Sequence, residues 1–219
     1  MQSASAHKVP GSTTVAGIDL SHYQSSVHWA AVAQAGFQYC FVKATEGRTS
    51  VDQSFARHWA DAQDAGLIRG AYHFFRPRIS PEAQAAVFLR TVKQLGPGDL
   101  PPVLDLEAPQ DWTRIAPERR SELILAWLEL VEHELKATPL LYLSPAFACD
   151  VLENPASLAG FRIWIAHYTS AESPTVPKPW AAWTFWQHCN ARIAGISVPV
   201  DLNRFNGSLE DLKALSAGG

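Results

Sequence analysis

Cysteine is scarce in this chain. Three residues among 219, Cys40, Cys149 and Cys189, form no C-x-x-C pair and cannot all pair with one another. A disulfide scaffold is therefore excluded, although one bridge stays open. Long apolar runs are missing too, and none approaches the ~18 residues of a membrane span. The first residues, MQSASAHKVPGSTT, lack the apolar core of a signal peptide, so the protein is read as made without one or as having lost its leader. The formal net charge is −3 and no basic run is interleaved with aromatics, which argues against a nucleic-acid partner. There is no H-E-x-x-H, no G-x-S-x-G elbow and no P-loop. Metalloprotease, serine-hydrolase and nucleotide chemistries lose their usual signatures with them. No metal or cofactor is expected, and His73 and His167 are read as ordinary hydrogen-bonded histidines.

What is present is a globular composition, 47% hydrophobic and 18% charged, long enough for a sizeable core. Residues 1–13 read as a flexible tail and 14–219 as one catalytic domain. Apolar, β-branched and aromatic runs predict strands over 15–21, 38–46, 67–76, 100–108, 139–144, 161–168, 182–189 and 200–205. Helices are expected over 28–35, 53–65, 81–95, 117–137 and 208–216. Gly36 and Gly66 stop the first two of these, and Pro81 opens the third. The longest carries a one-faced stripe of Leu123, Ile124, Trp127, Leu130, Val131 and Leu135. Alternation of strands and helices implies a mainly parallel sheet. The segments after the sixth strand are too Pro-rich for full helices. The expected fold is α/β, a single incomplete, irregular (β/α) TIM-like barrel of about eight strands with fewer helices.

The fourth strand, LPPVLDLEA, organises the rest. Side chains alternate along a strand, so Val103, Asp105 and Glu107 share one face while Leu104 and Leu106 share the other. Two carboxylates lie about 6–7 Å apart along it, and such a pair cannot ionise freely. D-x-E alone is short and common, and acids capping a loop would look the same.

In a (β/α) barrel the site forms at the C-terminal strand ends. These ends offer Asp19, Tyr72, His73, Asp105, Glu107, Tyr142, Trp164, His167, Tyr168, Gln187, Asp201 and Asn203. Four carboxylates, several aromatics and an amide at one mouth suit glycoside cleavage. A carboxylic acid protonates the departing oxygen, a second carboxylate supports the oxocarbenium-like centre, and flat aromatic faces hold sugar rings. Cys40 and Cys189 sit in apolar strands, where inert buried thiols are the common outcome. Asn206-Gly207-Ser208 fits a glycosylation sequon, a weak pattern.

Eight stretches stand out in order along the chain: GIDLSHYQ (17–24), FVKATEG (41–47), AGLIRGAYHFFRP (65–77), PPVLDLE (101–107), LYLS (141–144), IWIAHY (163–168), WTFWQ (183–187) and VDLNRF (200–205). Together they resemble the family 25 glycoside hydrolases, lysozymes that cut the β-1,4 link between N-acetylmuramic acid and N-acetylglucosamine. The resemblance implies that Glu107 is the general acid and Asp105 its partner, either nucleophile or orienter of the substrate's N-acetyl group. Asp19 and Asp201 would position Asp105 and the sugar. Tyr72, Tyr142, Trp164, Tyr168 and Gln187 are the implied substrate-binding residues. The stretches 48–58 and 188–199 depart from the family's pattern, and both border the mouth.

Two other functions share the barrel. One is a non-catalytic peptidoglycan-binding module, which would not need all four carboxylates. The other is a chitinase-like hydrolase, whose acid motif carries a further Asp where this chain has Val103. The muramidase reading implies action on the cell wall, in the periplasm or outside the cell, on glycan strands of peptidoglycan. The chain would work as a monomer, released by lysis, secreted, or carried by a delivery protein. In the last case an immunity protein would plug the mouth.

Overall fold

A computed structural model describes residues 14–216. The tail expected over 1–13 lies outside the described residues. Nine strands run in chain order: β1 (Thr14–Leu20), β2 (Tyr39–Glu46), β3 (Ser50–Val51), β4 (Ile68–Phe74), β5 (Val103–Asp105), β6 (Leu140–Leu143), β7 (Arg162–Ala166), β8 (Phe185–Ile193) and β9 (Ile196–Asn206). Their spatial order is β1-β9-β8-β7-β6-β5-β4-β2-β3, and a β1–β2 pairing closes eight of them into a barrel. The two-residue β3 is appended to β2 as an antiparallel partner.

The shell is incomplete where the Pro-rich segments suggested. Helices α1 (Trp29–Gln34), α2 (Phe55–Asp64), α3 (Pro81–Val92) and α4 (Pro117–Leu135) cover the first half of the barrel. Only short turns of helix, Phe147–Val151 and Ala156–Leu158, follow β6, and none separates β7 from β8. The sheet is mainly parallel, as expected, and turns antiparallel at its end. The stretch 188–199 is no crossover: β8 and β9 continue into it as an antiparallel hairpin, and β9 is antiparallel to β1 as well. A hairpin needs only a tight turn, whereas a parallel return would need a dozen residues or more.

Two cores result. Between barrel and helices lie Leu104, Leu106, Trp127, Val131 and their neighbours. Inside the barrel lie Tyr39, Phe41, Val103, Leu140, Trp164, Phe185 and Phe205. Val103 and Leu104 thus face opposite ways, as strand alternation requires. Interior rings need space, and glycine supplies it: a Cβ at Gly17 would fall 2.3 Å from the Tyr39 ring, and one at Gly70 2.4 Å from Phe41. Helix α5 (Leu209–Leu215) places Leu212 against this interior core, near the Val15–Phe205 pair. Ser208 caps α5, and its side chain is bound to Asp211 at 2.7 Å. Burial of the two cores is the main stabilising term of such a fold. Among the described residues no helix is long and apolar enough to cross a membrane.

Candidate active site

The apolar floor of the barrel gives way to polar side chains at its other end. Each of the eight barrel strands brings at least one inward residue to that mouth or just past it: Asp19, Lys43, Tyr72, Asp105, Tyr142, Trp164, Gln187 and Asp201, with Glu107 beyond the end of β5. They line a cavity of about 370 Å³. Strand register explains the convergence. Asp105 stands opposite Tyr142, Tyr142 opposite Trp164, and Asp19 opposite Asp201.

On the β1–β8–β9 side every acid is held. The Asp19 Oδ2 accepts Gln187 Nε2–H at 2.9 Å and Asn203 Nδ2–H at 2.8 Å. Those amides are fixed in turn, since Tyr142 Oη–H donates to Gln187 Oε1 at 3.0 Å and Trp164 Nε1–H to Asn203 Oδ1 at 2.8 Å. Asp201 Oδ1 accepts Tyr168 Oη–H at 2.6 Å and Asn190 Nδ2–H at 2.8 Å. Burial, with the charge of Asp201 beside it, still pushes the Asp19 carboxyl up to about 8, against those amide donors.

On the β5 side one acid is bare and the other, Glu107, reaches solvent. Asp105 is buried, and its Oδ1 has no hydrogen-bond partner. Burial first, then the charge of Glu107, raises its carboxyl well above the ordinary carboxylate range. Glu107 is raised as well, by burial and by Asp201, while Tyr142 and Lys43 pull the other way. The two carboxyls therefore compete for protons.

Sequence reasoning missed Lys43 among the mouth residues. A register shift in β2 between Lys43 and Thr45 inserts one residue. Three residues on, Glu46 therefore returns to the side of Lys43, and Lys43 Nζ meets Glu46 Oε2 at 2.6 Å. Arg76 also binds Glu46, at 2.5 Å, and Asp111, at 2.7 Å. Lys43 and Arg76 hold Glu46 below its usual range against the pull of its own burial. Tyr23, three-quarters exposed, stands at the rim and was also unforeseen, as were Gln24 and Phe74. Nothing in the sequence shows which acid Lys43 meets.

Of the residues expected to bind substrate, Tyr72, Tyr142, Trp164 and Gln187 line the cavity. Trp164 is nearly fully buried and serves as wall and donor rather than as an open platform. Tyr168 stands outside the cavity lining, half-exposed, and reaches the site through Asp201. His73, placed at the mouth by the sequence, faces the outer shell, because alternation sends it opposite to Tyr72. It lies between Thr45 (2.7 Å) and Gln84 (3.1 Å) and stacks on Trp127. His167 accepts a backbone N–H from Thr175 at 3.0 Å. The three cysteines are free thiols; Cys40 is buried, Cys149 exposed and Cys189 between.

The chain matches the Glycosyl hydrolases family 25 over residues 18–196. It is 35% identical to lysozyme M1 of Streptomyces globisporus, covering 92% of this chain and 71% of that one. With the N,O-diacetylmuramidase of Chalaropsis sp it shares 31% identity over 94% of this chain and all of that one. The crystal structure of the bacterial lysozyme from Streptomyces coelicolor superposes with a TM-score of 0.88 at 34% identity, over 92% of this chain and 96% of the other.

Proposed function

The chain belongs to glycosyl hydrolase family 25, and we propose that it is a peptidoglycan muramidase, a lysozyme hydrolysing the β-1,4 bond between N-acetylmuramic acid and N-acetylglucosamine. The observation that carries the reading is the acid pair at the end of β5, a buried Asp105 with an unpartnered oxygen and a solvent-reaching Glu107 of raised proton affinity, both on the wall of the mouth cavity. Raised proton affinity is what a general acid at neutral pH requires.

Glu107 is the proton donor. It lines both the central cavity and a second, more apolar one of about 330 Å³ formed with Leu106, Pro109, Phe147 and Val151. A glycan strand running from one to the other would set the scissile oxygen beside Glu107. With the proton on Glu107 its charge no longer raises Asp105, and Asp105 serves as the anion against the pull of its own burial. Both carboxyls come from one strand end, two residues apart, so they sit on one side of the sugar. A nucleophile that displaces the leaving group must approach from the opposite face. This favours Asp105 as the orienter of the substrate's N-acetyl group. The acetamido oxygen then attacks the anomeric carbon while the proton of Glu107 passes to the leaving oxygen. Water opens the intermediate with Glu107 now acting as base.

Asp19 and Asp201 position this pair and the sugar, and Tyr72, Tyr142 and Gln187 form the wall it rests on. The substrate is the glycan strand of the cell wall, met in the periplasm or outside the cell, by a monomer. Purified peptidoglycan digested by the wild type and by Glu107→Gln, with mass spectrometry of the fragments, tests the reading. New reducing ends on N-acetylmuramic acid, lost in the variant, support it. Ends on N-acetylglucosamine, or binding without fragments, overturn it.

A further inference from the structure

Muramic acid carries a peptide stem, and that stem is anionic through its carboxylates. The central cavity is a poor place for an anion. It gathers Asp19, Asp105, Glu107 and Asp201 against one lysine, Lys43, which Glu46 already engages. The apolar cavity beyond Glu107 adds another acid, Asp150, and no base.

A third cavity at this end of the barrel differs in sign. About 410 Å³ in volume, it is lined by Arg48, Arg76 and Arg78 and by only two acids, Glu46 and Asp111. Both acids are committed to Arg76. Arg78 is exposed and gives one bond, from Nε to the Asp111 carbonyl at 3.3 Å. Arg48 is exposed on the turn between β2 and β3, and no acid pairs with it among the described residues. Two guanidinium groups therefore face this pocket with donors to spare, and guanidinium binds carboxylate through paired hydrogen bonds. The pocket adjoins the catalytic one through a single ring. Phe74 lines the central cavity, with Lys43 Nζ 4.9 Å from its centroid and the Arg76 guanidinium carbon 4.5 Å from it. An extended peptide covers ~3.3–3.6 Å per residue, so about three stem residues suffice to cross that ring.

We propose that the Arg48–Arg78 pocket binds a carboxylate of the peptide stem and makes this enzyme selective for peptide-bearing glycan. The proposal rests on the muramidase reading and deepens it.

The test compares two substrates: glycan strands with stems, and the same strands stripped of stems by an amidase. Kinetics are measured for wild type and for the double variant Arg48→Ala/Arg78→Ala, with its melting temperature as the check on folding. The expected result is a KM raised about tenfold on peptide-bearing strands, the scale of a lost charge-assisted contact, with kcat and the rates on stripped strands unchanged. Arg48→Lys/Arg78→Lys should recover part of the loss. Equal losses on both substrates, or none on either, overturn the proposal while leaving the muramidase intact. A wild type that releases no fragments from either substrate overturns the muramidase reading itself.

Discussion

The two sides of the mouth are built from the same residue types and differ in how far they are satisfied. On the β1–β8–β9 side, Asp19 and Asp201 each accept two side-chain hydrogen bonds, and the donors to Asp19 are themselves anchored by Tyr142 and Trp164. On the β5 side, Asp105 is just as buried yet has an oxygen with no partner. A buried polar atom left unpaired costs stability, on the order of 1–3 kcal/mol, and among the described residues the Asp105 oxygen is the one such atom that belongs to a residue lining the mouth cavity. The satisfied side is scaffold, and the bare side does the chemistry.

Breaking the bare side should have the largest effect. Glu107→Gln keeps the shape and removes the transferable proton, and kcat should fall by roughly 10²–10⁴, measured as release of reducing ends. Breaking the scaffold should act on folding first. Asn203→Ala leaves Trp164 Nε1–H and one contact of Asp19 unpaired in the interior. It should lower unfolding stability by about 1–3 kcal/mol, read from denaturant melts, with a smaller loss in kcat. The two sides also communicate by charge. Asp201 raises the proton affinity of Glu107, so Asp201→Asn should move the alkaline limb of kcat/KM to lower pH. An unmoved limb would uncouple the sides. Tyr168→Phe, half-exposed and touching the site only through Asp201, should change kcat/KM no more than a few-fold.

Much of the barrel was legible in the sequence because its signals are local. Glycines 36 and 66 mark the ends of α1 and α2 within two residues. The alternation in VLDLE sorts Val103 into the barrel and Leu104 and Leu106 outside it, although β5 proper spans only Val103–Asp105. In α4 the stripe was nearly right. Ile124, Trp127 and Val131 are buried, but Leu130 is partly exposed and Leu128 takes a core place the pattern did not give it. What stayed hidden depends on pairing between distant segments. Asn203 reaches Asp19 across 184 positions, and no periodicity records that contact. The antiparallel return of β9 was hidden for the same reason, since a strand's own sequence does not state its direction. The four carboxylates could be placed at one mouth from strand ends alone, but which of them would be bare could not.

The contrast between satisfied and bare acids is tested most directly by the melting temperature of Asp105→Asn against wild type at pH 4 and pH 8. Folding raises the proton affinity of Asp105, so ionising it costs the native chain more than the unfolded chain. Its contribution to stability is therefore intact below the unfolded carboxylate value of about 3.9 and is lost as pH rises toward the folded one. Asparagine cannot ionise and escapes that loss. The variant should melt with wild type at pH 4 and about 2–6 °C above it at pH 8, while turning over peptidoglycan at least a hundredfold more slowly. A variant that melts below wild type at pH 8 would mean that Asp105 is a satisfied structural acid, and the division of the mouth into scaffold and chemistry would be wrong.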